Sequence, residues 1–542
     1  MKSNHKFIYI FSVLISFLHS DLSAQKDTSK LEFNQIEVVK NFEVKLKDAE
    51  RIKVDPVLVP NTSEKVSYSY SVTPVPVDIK YADPEIKALA MPTDDPADYN
   101  NGFARAGFGS RKSPFAEAGY HKVRKDIFDW GVYGKYFAVN DRDRILNHKM
   151  TDIDLRLNGN YVWKNNLILS ADFNNSFKKR YLWNENVSID SLFEVRDINK
   201  VGLHAGIQNI SLSKYKLNYK ATAGFSTTNV SDQNTLEQSL FIDGQIEKHR
   251  TDRLAFVINV RMEGFFLKSE KLKSLFNLKT SPHFILRFGK FKSVLGASAL
   301  IASDKITIFP KVDLSYPVYK DHVQIFIGSD QKTFTNSIYN LLSINPFMNT
   351  NLNKLSNSVA NEIYGGVKGE FSFLTYQCNV GYKDVRDQLF FNFDSIDVVR
   401  HKAFFDNTRF FFLEGNLEFR ILQNVTLGGR ININNFKMDT LRAPFHTPDF
   451  VISGWVKSSF LDNKVRLSFT TTAMDKYYYI DENNALKKSS FLLDVEAFAE
   501  YFPVRNVGIY LKGTNLINST FQRWYGYRNI GTQISGGVMV TF

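Results

Sequence analysis

The sequence predicts an all-β chain: a transmembrane antiparallel β-barrel of about 22 strands behind an N-terminal arm. Three observations lead there. The last residues alternate strictly, with Ile534, Gly536, Val538, Val540 and Phe542 on one face and Gln533, Ser535, Gly537, Met539 and Thr541 on the other. Short and long connections alternate along residues 101–542. Finally, no apolar run is long enough to cross a bilayer as a helix. Yet the 542 residues hold 47 Phe, 25 Tyr and 5 Trp, an excess that barrels place in girdles at the two membrane interfaces.

The chain opens on a secretory signal, residues 1–24. Lys2 and Lys6 charge its start, Phe7 to Leu18 form an apolar run, and Leu22-Ser23-Ala24 precede a cut at Gln25. The run is too short for a spanning helix. No Cys follows it, so no lipid anchor is attached there. The sole cysteine is Cys378, which excludes an intramolecular disulfide.

Residues 25–100 differ in kind. They hold Pro56, Pro60, Pro74, Pro76, Pro84, Pro92 and Pro96, and proline removes ladder donors. The segment reads as a periplasmic arm or truncated plug; a disordered linker is the other reading of the same composition. From residue 101 onward the pattern is hairpins. Leu254, Phe256, Ile258, Val260 and Met262 face away from Asn259, Arg261 and Glu263. Val425, Leu427, Ile431 and Ile433 face away from Thr426, Arg430 and Asn432. Leu493, Val495, Ala497, Ala499 and Tyr501 face away from Asp494, Glu496 and Glu500. Charged residues on the second face suit a tilted spanning strand with a wet interior.

Short links are expected at Trp163–Asn166, Lys248–Arg253, Phe288–Phe291, Tyr319–His322, Leu422–Val425, Leu461–Lys464 and Phe502–Val507. Long polar ones are expected at Asp141–Met150, Trp183–Asn199, Thr335–Asn361, Asp394–Asn407, Asp439–Asp449, Lys476–Ser490 and Asn518–Ile530. That rhythm is one of periplasmic turns and extracellular loops. An even strand count leaves both barrel ends in the periplasm.

Net charge is +12 and mean hydropathy is −0.25. The cations form no basic run and no recognition motif, so nucleic acid is not an expected partner. Basic loops facing lipopolysaccharide account for the charge, as does a merely solvated surface. No CxxC, HExxH, GxSxG or P-loop is present, so no enzyme, cofactor or metal site is expected. His401 and His446 fall in expected outer loops and read as solvated or girdle residues. The acidic row Asp494, Glu496 and Glu500, with Arg430, Arg466 and Lys512 in nearby strands, lines the lumen. It reads as an ion-pair network or as a selectivity lining for charged solutes.

The C-terminal block resembles the end of TonB-dependent receptors. The matching residues are Asn515, Leu516, Ile517 and Asn518, then Tyr525, Gly526 and Tyr527, then Gly531, Gly536 and Phe542. The stretch Tyr81 to Gly109 resembles the lead-in to the first strand of Bacteroidetes outer-membrane proteins. The resemblance implies an outer-membrane barrel that takes up a solute, with TonB as partner, behind a globular plug. Residues 25–100 are too few and too proline-rich for such a plug. The arm and an inward-folded Thr335–Asn361 loop are therefore expected to obstruct the lumen. Ile36-Glu37-Val38-Val39 is the candidate TonB-box segment, a short extended piece able to add a strand to a partner. The rival expectation is a non-transporting assembly subunit that binds an envelope lipoprotein or another envelope protein.

Overall fold

The computed structural model describes residues 101–542, apart from 125–126, 142–144, 146–147, 165, 187–192, 269–273, 303–304, 321 and 353–354. The signal peptide, the arm and Ile36–Val39 lie outside the described residues. Alternation fixes which side of each strand faces lipid, and turn length fixes which strands pair. Together they give one antiparallel sheet of 22 strands in which sequence neighbours pair throughout. The first strand, Gly102–Gly109, also pairs with the last, Gln533–Thr541, in the register Phe103↔Thr541 to Gly109↔Ser535. Closure leaves no open edge, the condition for sheet in a bilayer. At the seam Gly102 N–H donates to the Phe542 carbonyl at 2.7 Å, and Phe542 N–H returns the bond at 2.9 Å.

The outer face exposes aliphatic and aromatic side chains. Ile308 is 70 % exposed, Leu511 58 % and Val538 54 %, as expected where lipid replaces a protein core. Near the chain ends, aromatics gather on this face: Tyr120 lies 5.4 Å from Trp130 and 6.2 Å from Phe542, ring centre to ring centre. Connections at this terminal end are tight, as at Phe288–Phe291 and Phe371–Leu374. Those at the other end reach the length of 336–356 and 515–532.

Three long links differ from expectation. The strand His401–Leu422 has 22 residues and its partner Leu374–Phe393 has 20, about twice the 9–11 that a tilted strand needs. Residues 401–407, expected in a loop, therefore continue a hairpin that rises beyond the bilayer. The 475–491 link folds a small hairpin from Tyr478–Ile480 and Leu486–Lys488, and the 515–532 link another from Gln522–Trp524 and Tyr527–Arg528. The long link 336–356 holds the one helix among the described residues, Ile338–Ile344. Ser337 caps it, accepting from Asn340 N–H, and Pro346 follows its end.

Candidate functional site

Two parts of the interior carry function-bearing side chains. The first is the inner wall. Its charges pair across adjacent strands: Lys311 with Asp330 at 2.6 Å, Lys279 with Glu263 at 2.8 Å, and Arg105 with Glu117 at 2.9 Å. Of the residues singled out in the sequence, Arg466 lies 3.9 Å from Glu500 and Lys512 lies 4.0 Å from Glu496. Arg430 stands apart and donates to Asn416 Oδ1 at 2.9 Å. Asp494 faces Thr472 in register, and its buried Oδ1 accepts no hydrogen bond. Ile534, Val538, Val540 and Phe542 point the other way, 39–55 % exposed. Arg466 and Glu500 line an inner cavity of about 850 Å³ near the chain ends, and Glu496 and Lys512 line one of about 500 Å³.

The second part is a cap. The 336–356 link leaves its stems and packs against strands far round the ring. Ile338, Leu341 and Met348 are fully buried against Ile198, Val230, Phe391, Trp524 and Tyr527. Glu237, on the strand Thr235–Thr251, accepts the helix's first N–H groups, from Ile338 at 2.6 Å and Tyr339 at 3.3 Å. These are orphan donors of a helix start, so a strand five places round the ring completes the cap of this helix. The inward fold expected of this loop is thus observed.

A buried ion cluster ties the same region together. Arg196, with no exposed side-chain surface, binds Asp232 through two parallel bonds of 2.8 and 2.6 Å. It also donates to the Met348 carbonyl at 2.6 Å. Arg400 reaches Asp232 at 2.8 Å, Asp397 at 2.8 Å and Glu194. Burial favours a neutral Asp232, but the two guanidiniums outweigh it and hold its carboxyl below the usual carboxylate range. Burial likewise disfavours charged Arg400, and its three acidic partners more than offset that, raising its pKa.

Beside this cluster lie His401 and His446, 1 % and 2 % exposed, their rings 5.5 Å apart and perpendicular. This corrects their reading as solvated loop or girdle residues: the long hairpin lifts His401 into the cap, and the 439–449 link brings His446 to it. Trp524 stands 5.2 Å from His446 and 5.9 Å from His401. None of the four ring nitrogens makes a well-formed hydrogen bond. Burial, then the nearby His401 and Arg523, push His446 well below the ordinary imidazole pKa. Among the described residues no three His, Cys, Asp or Glu gather into a metal-binding group. The cap's partners escaped sequence reading because Asp232 joins residues as distant as Arg196 and Arg400. Only the helix had a local signal, Ser337 at its start and Pro346 after its end.

No protein-family model matches this sequence, and no curated protein matches it. Solved structures do share the fold. The FrpB iron transporter from Neisseria meningitidis superposes with a TM-score of 0.64 at 11 % identity, over 82 % of this chain and 82 % of that one. The siderophore receptor PirA from Acinetobacter baumannii gives 0.63 at 9 % identity, over 83 % of this chain and 81 % of that one. The ferric-catecholate import receptor Fiu from E. coli K12 gives 0.61 at 10 % identity, over 82 % of both. At such identity the likeness is one of fold: a large closed β-barrel.

Proposed function

We propose that this chain is an outer-membrane, receptor-like barrel that takes up a solute through its lumen. The observation that carries the reading is the closed ring of 22 strands with a charge-lined interior and loops folded over one mouth. In this reading the loop end faces outside and the chain ends face the periplasm. The likeness of Asn515 to Phe542 to TonB-dependent receptors supports TonB as the energy source, with Ile36–Val39 as the segment it would engage. Lipopolysaccharide surrounds the outer rim. The paired row Arg466, Glu500, Glu496 and Lys512 is proposed to set the charge preference of the passage.

The rival role, a non-transporting assembly subunit that binds an envelope lipoprotein, draws support from the cap. A dry core and a buried ion cluster are costly to open. Purified barrel in planar bilayers separates the two. A receptor stays shut at rest and conducts once its cap is broken, for example by Asp232→Ala. Recovery of TonB from intact envelopes with this chain supports uptake. A stoichiometric lipoprotein, with no conductance even in the broken cap, overturns it.

A further inference from the structure

Under the cap lies a cavity of about 410 Å³, within the range of small-molecule sites. Its roof is Arg523, Trp524 and His446, and its wall includes Phe334, Phe390 and Phe410. Three cations border it, and they are not equivalent. Lys332 pairs with Glu362, and Lys383 pairs with Glu414 at 3.2 Å and Glu362 at 3.7 Å. Arg523 has no carboxylate within ion-pair distance among the described residues. Its guanidinium donates to the His446 carbonyl at 2.8 Å, touches Met474 Sδ at 4.0 Å, and lies 5.0 Å from the Trp524 ring centre. Arg523 is half-buried, and a charge partly withdrawn from water is costly unless something pairs with it. The ring nitrogens of His446, on the same roof, are buried and make no well-formed hydrogen bond.

We infer that this cavity binds a small organic anion with a flat apolar body and one carboxylate, the carboxylate seated on Arg523 and the body between the phenylalanines and Trp524. The guanidinium fork matches a carboxylate in plane and in spacing. A single charge is favoured because, among the described residues, only Arg523 of the bordering cations lacks a carboxylate partner. His446, neutral, offers a donor or acceptor to one further polar group on the ligand. The inference names the solute class for the uptake reading and rests on that reading only for the ligand's route.

The test uses the full chain in lipid nanodiscs, where both mouths are open to solvent, with 2-naphthoate and its neutral analogue 2-naphthylmethanol followed by calorimetry. Naphthoate is expected to bind saturably, one per chain, at least about tenfold more tightly than the alcohol. Arg523→Gln is expected to remove that preference and Arg523→Lys to keep part of it. Equal affinity for acid and alcohol, or no saturable binding of the acid, overturns the site on the natural protein alone. A folded Arg523→Gln chain that binds naphthoate as the natural one does overturns the role of Arg523. Flux into liposomes is measured separately: binding without passage keeps the site and removes the uptake reading.

Discussion

The barrel wall and the cap solve opposite problems. On the wall the apolar side chains face outward, with Ile308 and Leu511 exposed, and the charges face inward in pairs reached by water. In the cap Ile338, Leu341 and Met348 are buried and the ion cluster around Asp232 is dry. The wall is held by ladder hydrogen bonds and by lipid, so its inner charges are replaceable. The cap is held as a small water-soluble domain is, by burial and by a few irreplaceable polar contacts. It follows that the two should fail independently.

Asp232→Ala should produce the largest effect. It strands the buried Arg196 guanidinium and takes from Arg400 one of its three carboxylates, a loss of about 3–5 kcal/mol. The loops should become protease-sensitive while the unboiled barrel keeps its compact gel mobility; joint collapse would show that wall and cap are one unit. Val538→Arg attacks the wall instead. It should cost about 2–4 kcal/mol near mid-membrane in denaturant titrations in lipid vesicles. Asn432→Arg, on the inner face, should cost far less, and equal losses would reverse the assignment of faces. At the seam, a Cβ on Gly537 would stand 2.1 Å from the Ala106 carbonyl oxygen. Gly537→Ala should therefore cost about 1–3 kcal/mol in the same titration.

The cap should also answer to pH. His446 is held neutral, with its folded pKa below its unfolded one. The unfolded chain then binds more protons once pH falls below about 6.5, and stability declines with it. From pH 6.5 to 5.5 the loss is about 1 kcal/mol for this one group. It should appear as faster hydrogen exchange in 439–449 but not in the strand Gln533–Thr541. Asp232, with its depressed pKa, keeps its contribution across this window and loses it only at lower pH. The smallest effect belongs to Glu500→Gln. Arg466 is half exposed, so losing this pair should cost less than about 1 kcal/mol, and less still in high salt.

The wall was legible in the sequence because its rule is local. Alternation at Leu254–Met262 or Leu493–Tyr501 states both the strand and its orientation, and link lengths state the pairing. The strand number followed from that rhythm. Of the cap, only the inward fold of Thr335–Asn361 was expected; the residues it meets were not legible, because that rule is non-local. Nothing near Arg196 announces Arg400, and residues 401–407 look like loop because a strand outside the bilayer carries no lipid-facing stripe. Among the singled-out lumen residues, Arg466, Glu500, Glu496 and Lys512 met partners because their strands are neighbours. Arg430 lies on the strand Val425–Met438, beyond their reach.

The pairing of Gly102–Gly109 with Gln533–Thr541 has a kinetic consequence. The ring's last contact joins the two ends of the barrel sequence, so no intermediate can close early. Bringing such distant ends together costs about 5 kcal/mol of chain entropy by the logarithmic loop law. Until the final strand docks, both seam strands present unpaired backbone able to template a wrong partner. Assembly of this protein is therefore governed by how long that open edge is sheltered, and a slip of one residue at the seam would turn Val538 and Phe542 inward.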